Sequence, residues 1–189
     1  MADRLARAEA RRFSEARAAH YVRSMLSSVA ACHRRDVCHR DIKLANFVVA
    51  APADDAEGEG RTKLIDFGFS RIYRGAGSEV NAAMRGACGT SDCMPPEMLI
   101  GEYYGPEVDV WSVGIAAYRL LSGDFPFGAP KEPTQRVYQR IIRGVYSVGG
   151  PVWDSISSNA KDLVVLLLDS APTTRISAEA ALRHPWLNA

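Results

Sequence analysis

The chain has 189 residues, 23 basic against 22 acidic side chains for a formal net charge of +1, and 47% hydrophobic residues. At roughly 150 residues per domain this is about one domain, large enough to need no disulfide or metal staple, and its ordinary globular composition argues against disorder. The balanced charge excludes the bulk basic footprint of a nucleic-acid binder, and the longest aliphatic run, Leu163–Leu168, is far too short to span a bilayer.

The first 13 residues are basic and alanine-rich and lack the apolar stretch of a secretory signal. They read as a fraying helix or helix end. Ser14 is a plausible N-cap for a helix with Ala18, Val22, Met25, Val29 and His33 on one face. The periodicity breaks near Val37. Two short β-like runs follow, 46–50 and 62–66, joined by an acidic polar connector, and together they predict a hairpin. From Phe69 to Ile100 there is little periodicity and much glycine, the mark of a functional segment in a compact domain. The stretch 109–121 predicts a helix apolar nearly all round, stopped by Gly123, and so a central one. A short amphipathic helix over 135–143 ends at Gly144. Ser157 caps a helix running to Leu168, and Ser177 caps a last short one before Pro185. The expected fold is mainly α with a small β-hairpin.

Cys32, Cys38, Cys88 and Cys93 form no CxxC pair and lack histidines at zinc spacing, so they read as reduced thiols of an intracellular protein. The cytoplasm is the default compartment, with the nucleus equally open.

Two strings carry chemistry. His39-Arg40-Asp41-Ile42-Lys43-Leu44-Ala45-Asn46 places an acid, a cation and an amide within six residues, on a loop between a helix and a strand. Asp66-Phe67-Gly68 ends the following strand. Phosphoryl transfer needs a carboxylate to orient a hydroxyl, a cation on the phosphate, and oxygen ligands for Mg²⁺. Asp41, Lys43, Asn46 and Asp66 supply those groups. Alone, each reads as a turn or surface residue; together they would require four coincidences in register.

The order and spacing resemble the catalytic loop and metal motif of eukaryotic protein kinases. Gly89-Thr90 and Pro95-Pro96-Glu97 resemble the end of that family's activation segment. Asp109-Val110-Trp111-Ser112-Val113-Gly114 resembles its central helix, and Arg175 with Ala181-Leu182-Arg183-His184-Pro185-Trp186 resembles its closing helices. Asn46-Phe47, Leu120-Leu121-Ser122-Gly123, Pro126-Phe127 and Ala160-Lys161-Asp162-Leu163 are similar to the calcium/calmodulin-dependent group, above all to calcium-dependent protein kinases of plant and protist type.

The resemblance implies a protein kinase-like large (C-terminal) lobe, with residues 1–189 a partial kinase domain, a catalytic loop at 39–46 and an activation segment at 66–97. It implies ATP and Mg²⁺ as cofactors and protein substrates bearing serine or threonine. Asp41 would be the catalytic base and Lys43 the cation on the γ-phosphate. Lys43, Asn46 and Asp66 would bind the nucleotide, the last two through Mg²⁺. Thr90 would hydrogen-bond near Asp41 and Lys43, Glu97 and Arg175 would form a structural ion pair, and Asp109 and His39 would brace the loop. Trp111, Trp153 and Trp186 are expected to be packing aromatics.

The chain departs from the family at Cys93-Met94-Pro95-Pro96-Glu97, where an aromatic is missing and a proline added. Arg40 could pair with a phosphate on Ser70, Ser78, Thr90 or Ser91, with Glu79, or with no anion. No glycine precedes Gly58 and no lysine precedes Lys43, so the small lobe, with its glycine-rich loop and strand lysine, is expected to be absent from this chain. Asp54-Asp55-Ala56-Glu57-Gly58 has the wrong ligand spacing for an EF-hand. Two functions are therefore expected: a serine/threonine protein kinase whose isolated large lobe is inactive or very weak, or a catalytically inactive, truncated kinase-like binding or decoy module. An apolar face is expected where a small lobe or regulatory segment would pack. Neither nucleic acid nor membrane is an expected partner.

Overall fold

A computed structural model describes residues 1–7, 12–49, 60, 62–73, 84–86, 88, 89, 93–128 and 132–188. Its order is α1 (Ala2–Arg7), α2 (Glu15–His33), β1 (Val37–Cys38), β2 (Phe47–Val49), β3 (Thr62–Leu64), β4 (Arg71–Ile72), α3 (Pro96–Leu99), α4 (Glu107–Ser122), α5 (Thr134–Arg143), α6 (Pro151–Asp154), α7 (Ser158–Leu167) and α8 (Ala178–Ala181). One-turn 3-10 helices occupy Leu44–Asn46 and Pro185–Leu187. The architecture is mainly helical with small antiparallel ribbons, consistent with the expected protein kinase-like large lobe.

The long helices begin and end where their sequences dictate. Ser14 Oγ accepts the Arg17 N–H at the start of α2 and Ser157 Oγ accepts that of Ala160 at the start of α7. Gly123 and Gly144 close α4 and α5 in the left-handed conformation. Helix α4 is buried on nearly every side and packs against α2 and α7. At Gly114 a Cβ would stand 2.8 Å from Leu168 Cδ2, so only glycine permits the close approach of α4 to the end of α7. Trp111 stacks on Phe127 at 5.4 Å, Trp153 packs on Tyr118 at 4.8 Å, and Trp186 donates to Glu15. All three tryptophans are packing residues.

The expected hairpin forms: Phe47 pairs with Leu64 and Val49 with Thr62. A second ribbon, β1 with β4, pairs Val37 with Ile72 and Cys38 with Arg71. Two-residue strands carry no alternation, so periodicity could not reveal it. The aperiodic 69–100 stretch also contains α3, where Pro95 caps and Pro96 takes the first helical position, which needs no N–H. The one-turn α6 is too short for a periodic signal. Among the described residues, no helix is long and apolar enough to cross a membrane.

Candidate active site

The 39–46 loop joins β1 to β2, and its shape is imposed from α4. Asp109, 1% exposed in the first turn of α4, accepts the His39 N–H on Oδ2 and the Arg40 N–H on Oδ1, each at 2.8 Å. His33 Nε2, from the end of α2, meets the same carboxylate at 3.0 Å. A carboxylate removed from water needs such compensation. Arg40 has φ +66°, unfavourable for an arginine, and the two bonds from consecutive amides hold that turn.

His39 ties the loop to the exit of β3. Its Nδ1 accepts the Asp41 N–H at 3.3 Å, which puts the ring proton on Nε2, and Nε2 donates to the Ile65 carbonyl at 3.2 Å. Phe67 meets the imidazole edge-on at 4.8 Å.

Three of the four candidate residues converge. Asp41 is 4% exposed, and its Oδ2 receives Lys43 Nζ at 2.8 Å and Asn46 Nδ2 at 3.0 Å. Asn46 Nδ2 also donates to the Asp41 carbonyl at 2.8 Å. The 3-10 turn over 44–46, closed by Asn46 N–H to Lys43 O at 3.0 Å, lets side chains two and five residues after Asp41 fold back onto it. Asp66 does not join this cluster by a hydrogen bond. It follows Ile65, whose N–H donates to Asn46 O at 2.9 Å, and then turns outward at φ +64°, exposed, accepting the Gly68 N–H at 3.3 Å.

The donor set fits Mg²⁺. Asn46 uses Nδ2 for both of its side-chain bonds, leaving Oδ1 as its remaining donor atom, and Asp66 offers an exposed carboxylate. These are hard oxygen ligands of the kind Mg²⁺ takes alongside substrate phosphates. Among the described residues, no group of three or more His, Cys, Asp or Glu side chains could hold a metal by itself.

Glycine at position 89 seats the later segment on the loop. Its φ is +85°, and a Cβ there would lie 2.4 Å from Arg40 O and 3.3 Å from Asp41 Oδ1. The expected hydrogen bonds of Thr90 lie outside the described residues, as do Ser78, Glu79 and Ser91. At the segment's far end, Arg175 grips Glu97 with both fork nitrogens, at 2.7 and 3.2 Å, and donates to the Asp169 and Glu107 carbonyls. Both partners are buried, and the pair is structural. The apolar side chains of Ile65, Phe67 and Phe69, beside Asp66 in the chain, are exposed, as are Val48 on β2 and Ile72 on β4, Ile72 by 64%.

His33 was legible only as one apolar-face position of α2; its role on Asp109 is a tertiary fact. So is the Ile65 carbonyl, which no side-chain motif could mark.

These parts sit on a helical lobe centred on a buried helix. The protein kinase domain family matches residues 1–187, and the chain belongs to it. It is 42% identical over 175 residues to the calcium/calmodulin-dependent protein kinase type IV of Rattus norvegicus, covering 93% of this chain and 35% of that protein. Calcium-dependent protein kinase 4 of Arabidopsis thaliana is 40% identical over 175 residues, covering 93% and 32% respectively. The calcium/calmodulin-dependent protein kinase type II alpha chain of Drosophila melanogaster is 39% identical, with 93% and 31% covered. The chain spans about a third of the length of these relatives.

Proposed function

We propose that the chain is the catalytic large lobe of a serine/threonine protein kinase, transferring the γ-phosphoryl group of ATP to a serine or threonine hydroxyl of a protein. The observation that supports this most strongly is the Asp41 carboxylate, buried and held at one oxygen by both Lys43 and Asn46. In this reading residues 1–189 are part of a kinase domain, with 39–46 the catalytic loop and 66–97 the activation segment.

Asp41 orients the hydroxyl and takes its proton as the oxygen attacks the γ-phosphorus and the bond to the departing ADP oxygen breaks. Lys43, 2.8 Å from Asp41, neutralises the carboxylate at rest and faces the γ-phosphate in the reaction. Asn46 Oδ1 and Asp66 would hold Mg²⁺, which supplies the charge that balances the phosphate oxygens. The rigid Asp109 and His39 contacts keep the base in place, so little reorganisation is needed. A small lobe would close over the exposed apolar side chains near Asp66. The 189-residue stretch alone is expected to turn over weakly or not at all, because half of the phosphate-positioning groups are not in it.

The test is phosphate transfer to serine and threonine peptides by the natural polypeptide that carries this sequence. Asp41→Asn should lower kcat by about 10²–10⁴-fold, the usual worth of a general base, with the melting curve retained. Peptide binding without turnover, identical in wild type and Asp41→Asn, would instead establish the inactive binding module.

A further inference from the structure

The backbone of Arg40 is held by Asp109, but its guanidinium has other partners. Nε donates to the Phe69 carbonyl at 2.6 Å and Nη1 to the Tyr104 hydroxyl at 3.4 Å. That hydroxyl in turn donates to the Gly86 carbonyl at 3.0 Å, with Cys88 Sγ 3.8 Å away. Tyr104 is 4% exposed, and its backbone exchanges both hydrogen bonds with Met84, at 2.9 and 3.0 Å.

We propose that Tyr104 is a positioning residue for phosphotransfer: its hydroxyl bridges Arg40 to Gly86 and so seats residues 84–86, 88 and 89 on the catalytic loop without a phosphate. The proposal rests on the kinase reading above.

A phenol can accept from the guanidinium and donate to a carbonyl at the same time, which a phenylalanine ring cannot. Burial pushes the Tyr104 phenol up, so it stays protonated and able to donate at neutral pH. An arginine fork is well matched to phosphate oxygens, yet both partners of this one are uncharged at neutral pH. The residue whose carbonyl the phenol holds is a glycine, with no hydroxyl to carry a phosphate. Position then links the bridge to the chemistry. Gly86 and Cys88 lead directly into Gly89, whose α-carbon faces Arg40 O and the Asp41 carboxylate. Fixing Gly86 therefore fixes the stretch that borders the base.

The experiment uses the natural polypeptide, phosphatase-treated and shown by intact mass to carry no phosphate, with Tyr104→Phe beside wild type. Removing one hydroxyl leaves the buried ring in place, so the variant should fold. Wild type should keep slow amide exchange over 84–89 after phosphatase treatment. Tyr104→Phe should speed exchange there but not in α2 or α4, and should raise the peptide KM about two- to tenfold, the worth of one net hydrogen bond, with the ATP KM unmoved. Loosening of 84–89 by phosphatase treatment alone would overturn the proposal. So would a Tyr104→Phe variant with unchanged exchange and peptide KM, or one whose melting temperature and ATP KM move together, as for a packing residue. Absence of turnover in every version, with the exchange difference intact, would count against the kinase reading while supporting the seating role.

Discussion

Asp41 and Asp66 face the same chemistry in the proposed reaction, yet the fold treats them in opposite ways. Asp41 is buried, with a lysine and an amide on one oxygen and a backbone N–H delivered to His39, on a loop fixed by Asp109. Asp66 is exposed, sits at positive φ, and has one hydrogen bond, from Gly68. In the proposed mechanism Asp41, as the base, is buried and set before any substrate arrives. Asp66, as the proposed metal ligand, is placed by its strand but left for ligands to complete. The 66–97 segment repeats this contrast along its own length, lightly held at Asp66 and locked at Glu97 by Arg175.

The strongest way to break this contrast is at the locked end. Arg175→Ala leaves Glu97 charged and buried, and should cost about 3–5 kcal/mol in urea unfolding; replacing both partners with apolar residues should recover most of it. Asp109→Ala orphans the His39 and Arg40 amides, and should cost roughly 2–4 kcal/mol at about 1–2 kcal/mol for each of the two unsatisfied donors, with exchange accelerated across 39–42. Asp66→Asn should do the reverse. Asparagine tolerates the left-handed conformation, so stability should stay within about 0.5 kcal/mol of wild type, while Mg²⁺-dependent turnover collapses. An Asp66→Asn variant that unfolds early would erase the distinction between the two carboxylates.

The smallest effect belongs to the scaffold distant from both. Burial alone would raise the Glu15 carboxyl, but bonds from the Ser157 side chain and amide and from Trp186 outweigh it and hold it below the usual 4.5. A lowered folded pKa means stabilisation that is complete above 4.5 and lost as pH falls through the folded value. Glu15→Gln should therefore flatten the acid limb of the stability profile, and leave the neutral region nearly unchanged.

Much of this site was legible in the chain. The spacing of Asp41, Lys43 and Asn46 is local, enforced by one 3-10 turn, so sequence order alone brings them together. Ser14, Ser157, Gly123 and Gly144 end their helices through contacts within a few residues, and the hairpin between β2 and β3 announces itself by composition. The sequence by itself thus determined the family, the helical frame and the meeting of Lys43 and Asn46 on Asp41. What only the tertiary structure decided are contacts between segments distant in the chain: His33 and the His39 and Arg40 amides on Asp109, His39 on Ile65, Gly89 against Arg40, Tyr104 between Arg40 and Gly86. The physical reason is range. Caps and turns act over three or four residues and leave a residue signature, whereas a backbone carbonyl or amide recruited from a remote strand is the same atom at every position, and only the packed fold shows which one is used.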